Sequence, residues 1–415
     1  MPALKSAAEP ARVTAGTRAT KSIRIYMTDL WCFIPYYMFR LCEALTAQSV
    51  EPKLGSVRYR LDRDYFRARG MTPDRALLDF AGNIQSAFLR RPIKFLEYIT
   101  NLLMLAVRLV FSRPDIVHVQ YLPFLEMGCR FEIGFLRWVR LLGIKVVYTI
   151  HNAPPADGRE KETALLRRAC GAADALICHG AAAASELVRM TGVPVNRIHV
   201  IPHGPLFEDA PAISEREARA ELRLEADEPL VLCLGVIDDY KGIPFLLDAW
   251  KRAKEAGTPG RLLIAGTGAG GMLDQVRDKV AVEGLADTVR LRLEYVPSEE
   301  LPLYHMAADV LVYPYKAGTT SGALMTGMNY GKVIVATRLP FFEQYLTDDE
   351  TALLVNYGDA DALASALAGL IRQPQRRQQL ANALNRKAIR SVGWDEIAAK
   401  TRECYEAVLS GRADL

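Results

Sequence analysis

The sequence predicts an α/β protein of two doubly wound parallel-sheet domains facing each other across a cleft, and three observations lead there. At roughly 100–200 residues per domain, 415 residues exceed a single domain. Short apolar runs rich in Val, Ile, Leu and Tyr alternate with longer helical patterns, as in sheets built from βαβ units. Charge divides near Pro205: residues 1–205 hold 28 Lys/Arg against 17 Asp/Glu, a net +11, and the remainder 24 against 31, a net −7. The basic half is therefore the one suited to an anionic surface or ligand. A composition 50% apolar and 24% charged excludes collagen, coiled coil and wholesale disorder.

In chain order, residues 1–21 are rich in Ala, Thr and basic residues, lack the apolar core of a secretory signal, and read as a disordered tail. Residues 22–205 form the first domain, with candidate strands Ile23–Met27, Ile116–Gln120, Lys145–Ile150, Ala175–Cys178 and His199–Ile201. Residues 206–228 open on proline and acidic residues, continue as a charged helix and read as the linker. The pattern restarts in residues 229–390, with strands expected at Leu230–Leu234, Arg261–Ala265, Val289–Leu293, Val310–Tyr313, Val333–Ala336 and Ala352–Val355. Helices follow from Asp359 to Leu409, and the last, within residues 391–415, is long enough to pack back across the junction. Seven cysteines without a CxxC pair or zinc spacing point to reduced thiols in a cytoplasm. The longest apolar run, Tyr98–Phe111, contains Asn101 and Arg108, so no membrane span is expected.

Open parallel sheets gather ligands at the carboxyl ends of their strands. Those ends carry Asp29, His151, His179 and His203, then Gly266 to Gly271 and Lys316 to Ser321. A strand-end histidine serves structure or function, and His151 is the first candidate for function. In the segment Gly235 to Gly242, Lys241 sits beside a glycine at a turn before a helix, placed to meet a phosphate, or simply solvated. Gly318-Thr319-Thr320-Ser321-Gly322 opens another helix, where free N–H groups bind anions such as a diphosphate, or Ser321 or Thr320 is a plain N-cap. Gly266, Gly268 and Gly271 fit GxGxxG, and Glu294 ends the next strand where a ribose-binding acid is expected, which supports a dinucleotide reading. The acidic pairs Asp62/Asp64, Asp348/Glu350 and Asp359/Asp361 follow no apolar strand and read as turns and caps rather than metal ligands.

Trp31, Phe33, Tyr36 and Tyr37 follow the first strand at the mouth of the expected cleft, to stack on sugars, dip into lipid or fill the core. From Phe88 to Phe111, Phe95 or Leu96, Ile99, Leu102 or Leu103, Ala106 and Leu109 or Val110 share a helical stripe flanked by Arg90, Arg91, Lys94, Arg108 and Arg113. Such a helix suits either an interfacial anchor on anionic lipid or the core of the first domain.

With these residues in place, the chain from about Ile23 onward resembles the GT-B glycosyltransferases, most closely family 4. The resemblance rests on an ordered series: Gly235…Lys241-Gly242, Leu263-Ile-Ala-Gly266-Thr-Gly268, Leu303 to Asp309, Tyr313-Pro-Tyr315, Ser321-Gly322, Gly331 to Thr337 and Pro340…Glu343. It implies a nucleotide-sugar donor on the second domain, its diphosphate at the lysine loop and at the Ser-Gly helix start, and an acceptor on the first domain. It implies no metal and no cofactor beyond that co-substrate. His151, within Tyr148-Thr-Ile-His-Asn152, is similar to the first-domain histidine that faces the transferred sugar. Two departures stand out. The family's glutamates eight residues apart fall on Gly318 and Thr326, and its arginine before the lysine falls among Val236, Ile237 and Asp238. Similar enzymes of bacterial exopolysaccharide assembly include β-mannosyltransferases using GDP-mannose, so an inverting mechanism is one expectation. Asp29, His151 and Asp157 are its candidate bases.

The expected activity is hexose transfer, mannose from GDP-mannose first, to a lipid-linked saccharide at the inner face of the plasma membrane. Expected partners are the nucleotide sugar, the lipid-linked acceptor and an anionic membrane surface, with no nucleic acid among them. Two other readings compete: a non-catalytic homologue that binds a nucleotide or glycan, and a Rossmann oxidoreductase or epimerase.

Overall fold

The computed structural model describes residues 22–84, 86–151, 160–207, 213–388 and 393–411. The tail of residues 1–21 and Asp157 lie outside the described residues. The first sheet comprises β1 Ile23–Asp29, β2 Val50–Ser56, β3 Ile116–Val119, β4 Lys145–Ile150, β5 Ala175–Cys178 and β6 Ile198–Val200, in the order β2-β1-β3-β4-β5-β6. The second comprises β7 Leu230–Leu234, β8 Arg261–Ala265, β9 Val289–Arg292, β10 Val310–Tyr313, β11 Val333–Thr337 and β12 Leu353–Val355, in the order β12-β11-β10-β7-β8-β9. Every strand pairing is parallel. Strand order reverses between β1 and β3 in one sheet and between β7 and β10 in the other. At such points the outgoing loops diverge and leave a crevice.

β2 is the strand that apolar patterning does not reveal. It contains Pro52 and Gly55 and exposes Glu51 and Lys53, features that weaken a central strand but are tolerated at an edge. Val50 and Leu54 still point inward, in register with Ile23 and Met27.

The core layer between the domains is continuous. It runs from β1 through the helix Pro35–Ala47 to Tyr313, Phe342 and the C-terminal helix Trp394–Leu409. That last helix packs on Pro35–Ala47, as expected of a segment returning across the junction. Its Trp394 indole donates to the Pro205 carbonyl at 2.8 Å, and Arg402 donates to the Gln48 carbonyl at 2.6 Å. In the linker, the helix Glu215–Glu221 starts with a capping box between Ser214 and Glu217. It is tied to the second domain by buried Arg219, 2.7 Å from Asp309.

On the outer face of the first sheet lies the long helix Ala87–Ser112. Its Tyr98, Leu102, Leu105 and Leu109 are buried against β3 and β4 residues, so the core explanation of its apolar stripe accounts for one face. Two buried polar groups dock it. Glu97 accepts from the amides of Phe80 and Ala81 at 2.7 and 2.8 Å, and Asn101 bonds both backbone groups of Leu78. By length and composition this helix is long and apolar enough to cross a membrane, but these contacts hold it on the domain surface. All seven cysteines are free thiols.

Candidate functional site

Three consecutive strands, β4, β5 and β6, lie side by side, and each is followed by a histidine. Sheet order therefore brings together His151, His179 and His203, with ring centroids 4.9 Å apart for the first pair and 5.0 Å for the second. Tyr37 sits among them at 4.8, 5.5 and 4.9 Å. His179 Nδ1 is 3.0 Å from the Ile201 carbonyl, which only an N–H can face, so its Nε2 accepts from His151 Nδ1 at 3.1 Å. His151 Nε2 is 2.9 Å from Gln120 Oε1, and Gln120 Nε2 is 3.0 Å from His118 Nε2. A half-turn of the Gln120 amide presents its NH2 to His151 and satisfies the chain. The Tyr405 hydroxyl, from the C-terminal helix, closes it by donating to His118 Nδ1 at 2.6 Å.

Both ring nitrogens of His151 are thus engaged inside the protein. Burial and the neighbouring histidines hold its pKa well below the usual imidazole value. Burial lowers that of His179 to about 4, and burial together with His179 lowers that of His203 to about 3. A histidine in this state forms a neutral wall and is a poor proton acceptor.

Asp29 needs a correction. Its carboxylate is fully buried and accepts from the amides of Trp31, Phe33 and Ile34 at 3.2, 2.6 and 3.0 Å. It is the clamp of the turn that starts the helix Pro35–Ala47, and no acceptor hydroxyl reaches it as a base. Of the alternatives for Trp31 the core one holds, and the acceptor or membrane role does not: it packs edge-on against Tyr98 and Phe124 beneath the long helix and away from the cleft. Lys94 covers its ring and pairs with Glu97. Phe33, stacked on Tyr121 at 4.3 Å, lines the cleft together with Tyr36 and Tyr37. Arg90 donates to the Ile84 carbonyl and Arg91 is exposed, both away from the cleft lining.

In the second domain, adjacent β7 and β10 place their outgoing loops together. Lys241 ends the 3-10 turn Asp239–Lys241, and Gly242, with φ +66°, turns the chain into the helix Ile243–Glu255. A Cβ on Gly242 would fall 1.9 Å from the Pro314 carbonyl oxygen, so the lysine loop and the loop after β10 touch through backbone. The Lys241 ammonium donates to the Tyr315 hydroxyl at 2.6 Å and lies 3.8 Å from its ring centre. Burial lowers its pKa. The Tyr315 hydroxyl is also 3.1 Å from Ser321 Oγ, which caps the helix Gly322–Gly327 by accepting from the Leu324 amide. Ser321 is therefore an N-cap, one link removed from the lysine. Thr319 donates to the His151 carbonyl at 3.4 Å across the cleft, and Thr320 and Gly322 line it.

The dinucleotide reading fails on geometry. Gly266, with φ +143°, backs onto the Gly235 carbonyl, and Gly268 backs onto the Ile237 carbonyl. A Cβ at either would come within 2.1 Å of that oxygen. These glycines let the β7 and β8 loops pack together. Glu294 is exposed, paired with Arg292 and absent from the cleft lining. The departure at the glutamate pair also has a local cause. Gly318 has φ +149°, where a glutamate would be strained, and the Thr326 hydroxyl accepts from the Leu206 amide at 3.1 Å.

Between these two sides lies a cavity of about 360 Å³. Among its lining residues Lys241 is the sole lysine or arginine, and seven of the others are Phe or Tyr. Sequence patterning missed Gln120, Tyr59, Tyr240, Tyr295 and His305. Tyr36 and Tyr295 meet across the cleft, hydroxyl to hydroxyl, at 2.7 Å. His179 and His203, by contrast, were visible in the sequence as strand-end histidines. Among the described residues no group of three His, Cys, Asp or Glu side chains is arranged to hold a metal ion.

Comparison with known proteins agrees with this two-sided cleft. Residues 35–204 match the Glycosyltransferase Family 4 model, and residues 214–387 match the Glycosyl transferases group 1 model. A D-inositol 3-phosphate glycosyltransferase of Xylanimonas cellulosilytica is 30% identical over 312 residues, 70% of this chain and 71% of that protein. A phosphatidyl-myo-inositol mannosyltransferase of Mycobacterium leprae is 31% identical over 188 residues, 43% of this chain and 46% of that one. Among solved structures, Anabaena HepE in complex with UDP and glucose superposes with a TM-score of 0.71 at 13% identity, covering 93% of this chain and all of that one. Sucrose-phosphate synthase from Thermosynechococcus elongatus gives 0.70 at 19% identity, covering 94% of this chain and all of that one. With a family match on each side of the cleft and this identity over more than two thirds of a relative, the chain belongs to the GT-B group 1/family 4 glycosyltransferases, enzymes that transfer a sugar from a nucleotide sugar.

Proposed function

We propose that the chain transfers a hexose, mannose from GDP-mannose, to a lipid-linked saccharide in bacterial polysaccharide assembly. The observation that carries the reading is the lone Lys241 ammonium at the switch point of the second sheet, opposite the histidine wall of the first. As the glycosidic bond to the nucleotide breaks, negative charge grows on the diphosphate. A cation held beside Tyr315 in a half-buried cleft stabilises that charge more than it would in water. The amides at Thr320-Ser321-Gly322 supply the second contact to the same group. His151, neutral and hydrogen-bonded on both nitrogens, walls the sugar without taking the acceptor proton. The aromatic lining, with Phe33, Tyr36 and Tyr295, offers faces for sugar rings.

Mannose as the donor sugar is supported by the name of the M. leprae relative, and UDP in the HepE structure is the reason to test both nucleotides. The test is nucleoside diphosphate release from a panel of GDP- and UDP-sugars, with lipid-linked saccharides and inositol 3-phosphate as acceptors. GDP release with GDP-mannose that depends on a lipid-linked saccharide supports the reading. Turnover confined to UDP-sugars, or to inositol 3-phosphate, replaces it.

A further inference from the structure

The long helix Ala87–Ser112 carries more apolar surface than its domain covers. Leu96, Leu103, Val107 and Phe111 are 61%, 62%, 61% and 83% exposed. At 100° per residue they form one outward stripe, roughly opposite the buried Tyr98, Leu102, Leu105 and Leu109. The surface continues onto the neighbouring helix Phe131–Leu141 through Trp138 and Leu141, the latter 81% exposed. Between the two helices runs a groove of about 300 Å³ lined wholly by apolar residues, among them Ile99, Leu103, Phe135 and Trp138.

Charge identifies the occupant. Glu97 and Glu132 are the only acidic residues on the two helices, and both are buried, Glu132 under the Tyr98 hydroxyl. Arg137 is exposed on the same side of the second helix as Leu141, Arg130 at the start of that helix and Arg113 at the end of the long one. A second copy of the chain docked through a twofold axis would bring these arginines together with no exposed carboxylate on either helix to meet them, which like-charge repulsion disfavours. A bilayer carrying anionic headgroups meets both features, with acyl chains for the stripe and groove and phosphates for the arginines.

We propose that the outer face of these two helices is the docking surface for an anionic lipid bilayer, with the helices lying in the headgroup plane. This inference stands apart from the donor and acceptor reading, because vesicle binding needs neither substrate. The test is sedimentation of the full-length protein with phosphatidylcholine vesicles, with or without about 30% phosphatidylglycerol, at low and high salt. Binding to the anionic vesicles, at least roughly tenfold weaker on the zwitterionic ones and reversed by salt, is expected.

The variant Leu96→Glu/Leu103→Glu/Phe111→Glu should lose at least roughly tenfold in binding while keeping its circular dichroism and its donor turnover. Arg130→Glu/Arg137→Glu should lose the preference for anionic lipid. Wild-type protein that stays in the supernatant with anionic vesicles overturns the proposal. So does equal binding by the triple variant, or a wild-type dimer in light scattering that the triple variant turns into a monomer.

Discussion

The Lys241 ammonium rests between Tyr240 and Tyr315, 4.9 and 3.8 Å from their ring centres, in a cleft with no other lysine or arginine in its lining. Aromatic faces hold a cation without neutralising it, so its charge is available to an arriving diphosphate. Lys241→Ala should lower the rate of sugar transfer by about 100–1,000-fold, the usual effect of removing one preorganised charge contact. A melting curve and a fluorescence titration with nucleotide would separate this from loss of fold. Transfer at the wild-type rate would remove the lysine loop from the mechanism. The lysine was legible in the sequence because a cation beside a glycine after a buried strand has few structural uses. Asp29 was equally visible and was misread, because nothing local says whether a carboxylate faces solvent or turns back to cap three amides.

At the scale of the element, the C-terminal helix Trp394–Leu409 is the strap that joins the domains and reaches the site through one hydroxyl. Tyr405→Phe leaves His118 Nδ1 without its donor in a fully buried position, which should cost about 1–3 kcal/mol of stability. Trp394→Ala empties the contact with Tyr37 and Gly204 and should cost about 3–5 kcal/mol. Chemical denaturation of the two variants beside the wild type measures both. Equal stability of all three would show that the strap does not hold the domains. Periodicity announced this helix and its length, whereas its partner, the helix Pro35–Ala47, lies more than three hundred residues earlier and was set by packing. β2 shows the opposite failure. An edge strand needs little apolar pattern, so one containing proline and lysine escapes notice.

Across the whole molecule, all six histidines have lowered pKa values, with burial the leading cause: His118 and His203 to about 3, and His179 and His305 to about 4. In the unfolded chain they protonate near their ordinary value of 6.5. Below that pH the unfolded state binds the extra protons. Stability is therefore full above about 6.5 and is lost as pH falls toward the folded values of 3 to 4, by about 1.4 kcal/mol per pH unit for each histidine that stays neutral. Melting temperature should be flat from pH 7 to 8 and fall steeply between about 6.5 and 5. A flat profile down to pH 5 would mean that the histidines are already charged in the folded protein.

The alternation of apolar runs with helices, the division of charge near Pro205 and the residues at the strand ends determined two parallel-sheet domains and the lysine loop without reference to any contact, because strand burial and turn chemistry are written in local pattern. Tertiary structure alone decided that β4, β5 and β6 set three histidines in a row, that Trp31 lies under a helix and away from the cleft, and that Glu294 stays outside it. Those outcomes depend on which strands become neighbours at the two crossovers. That choice is made by the burial of whole faces against one another, so no short stretch of sequence encodes it.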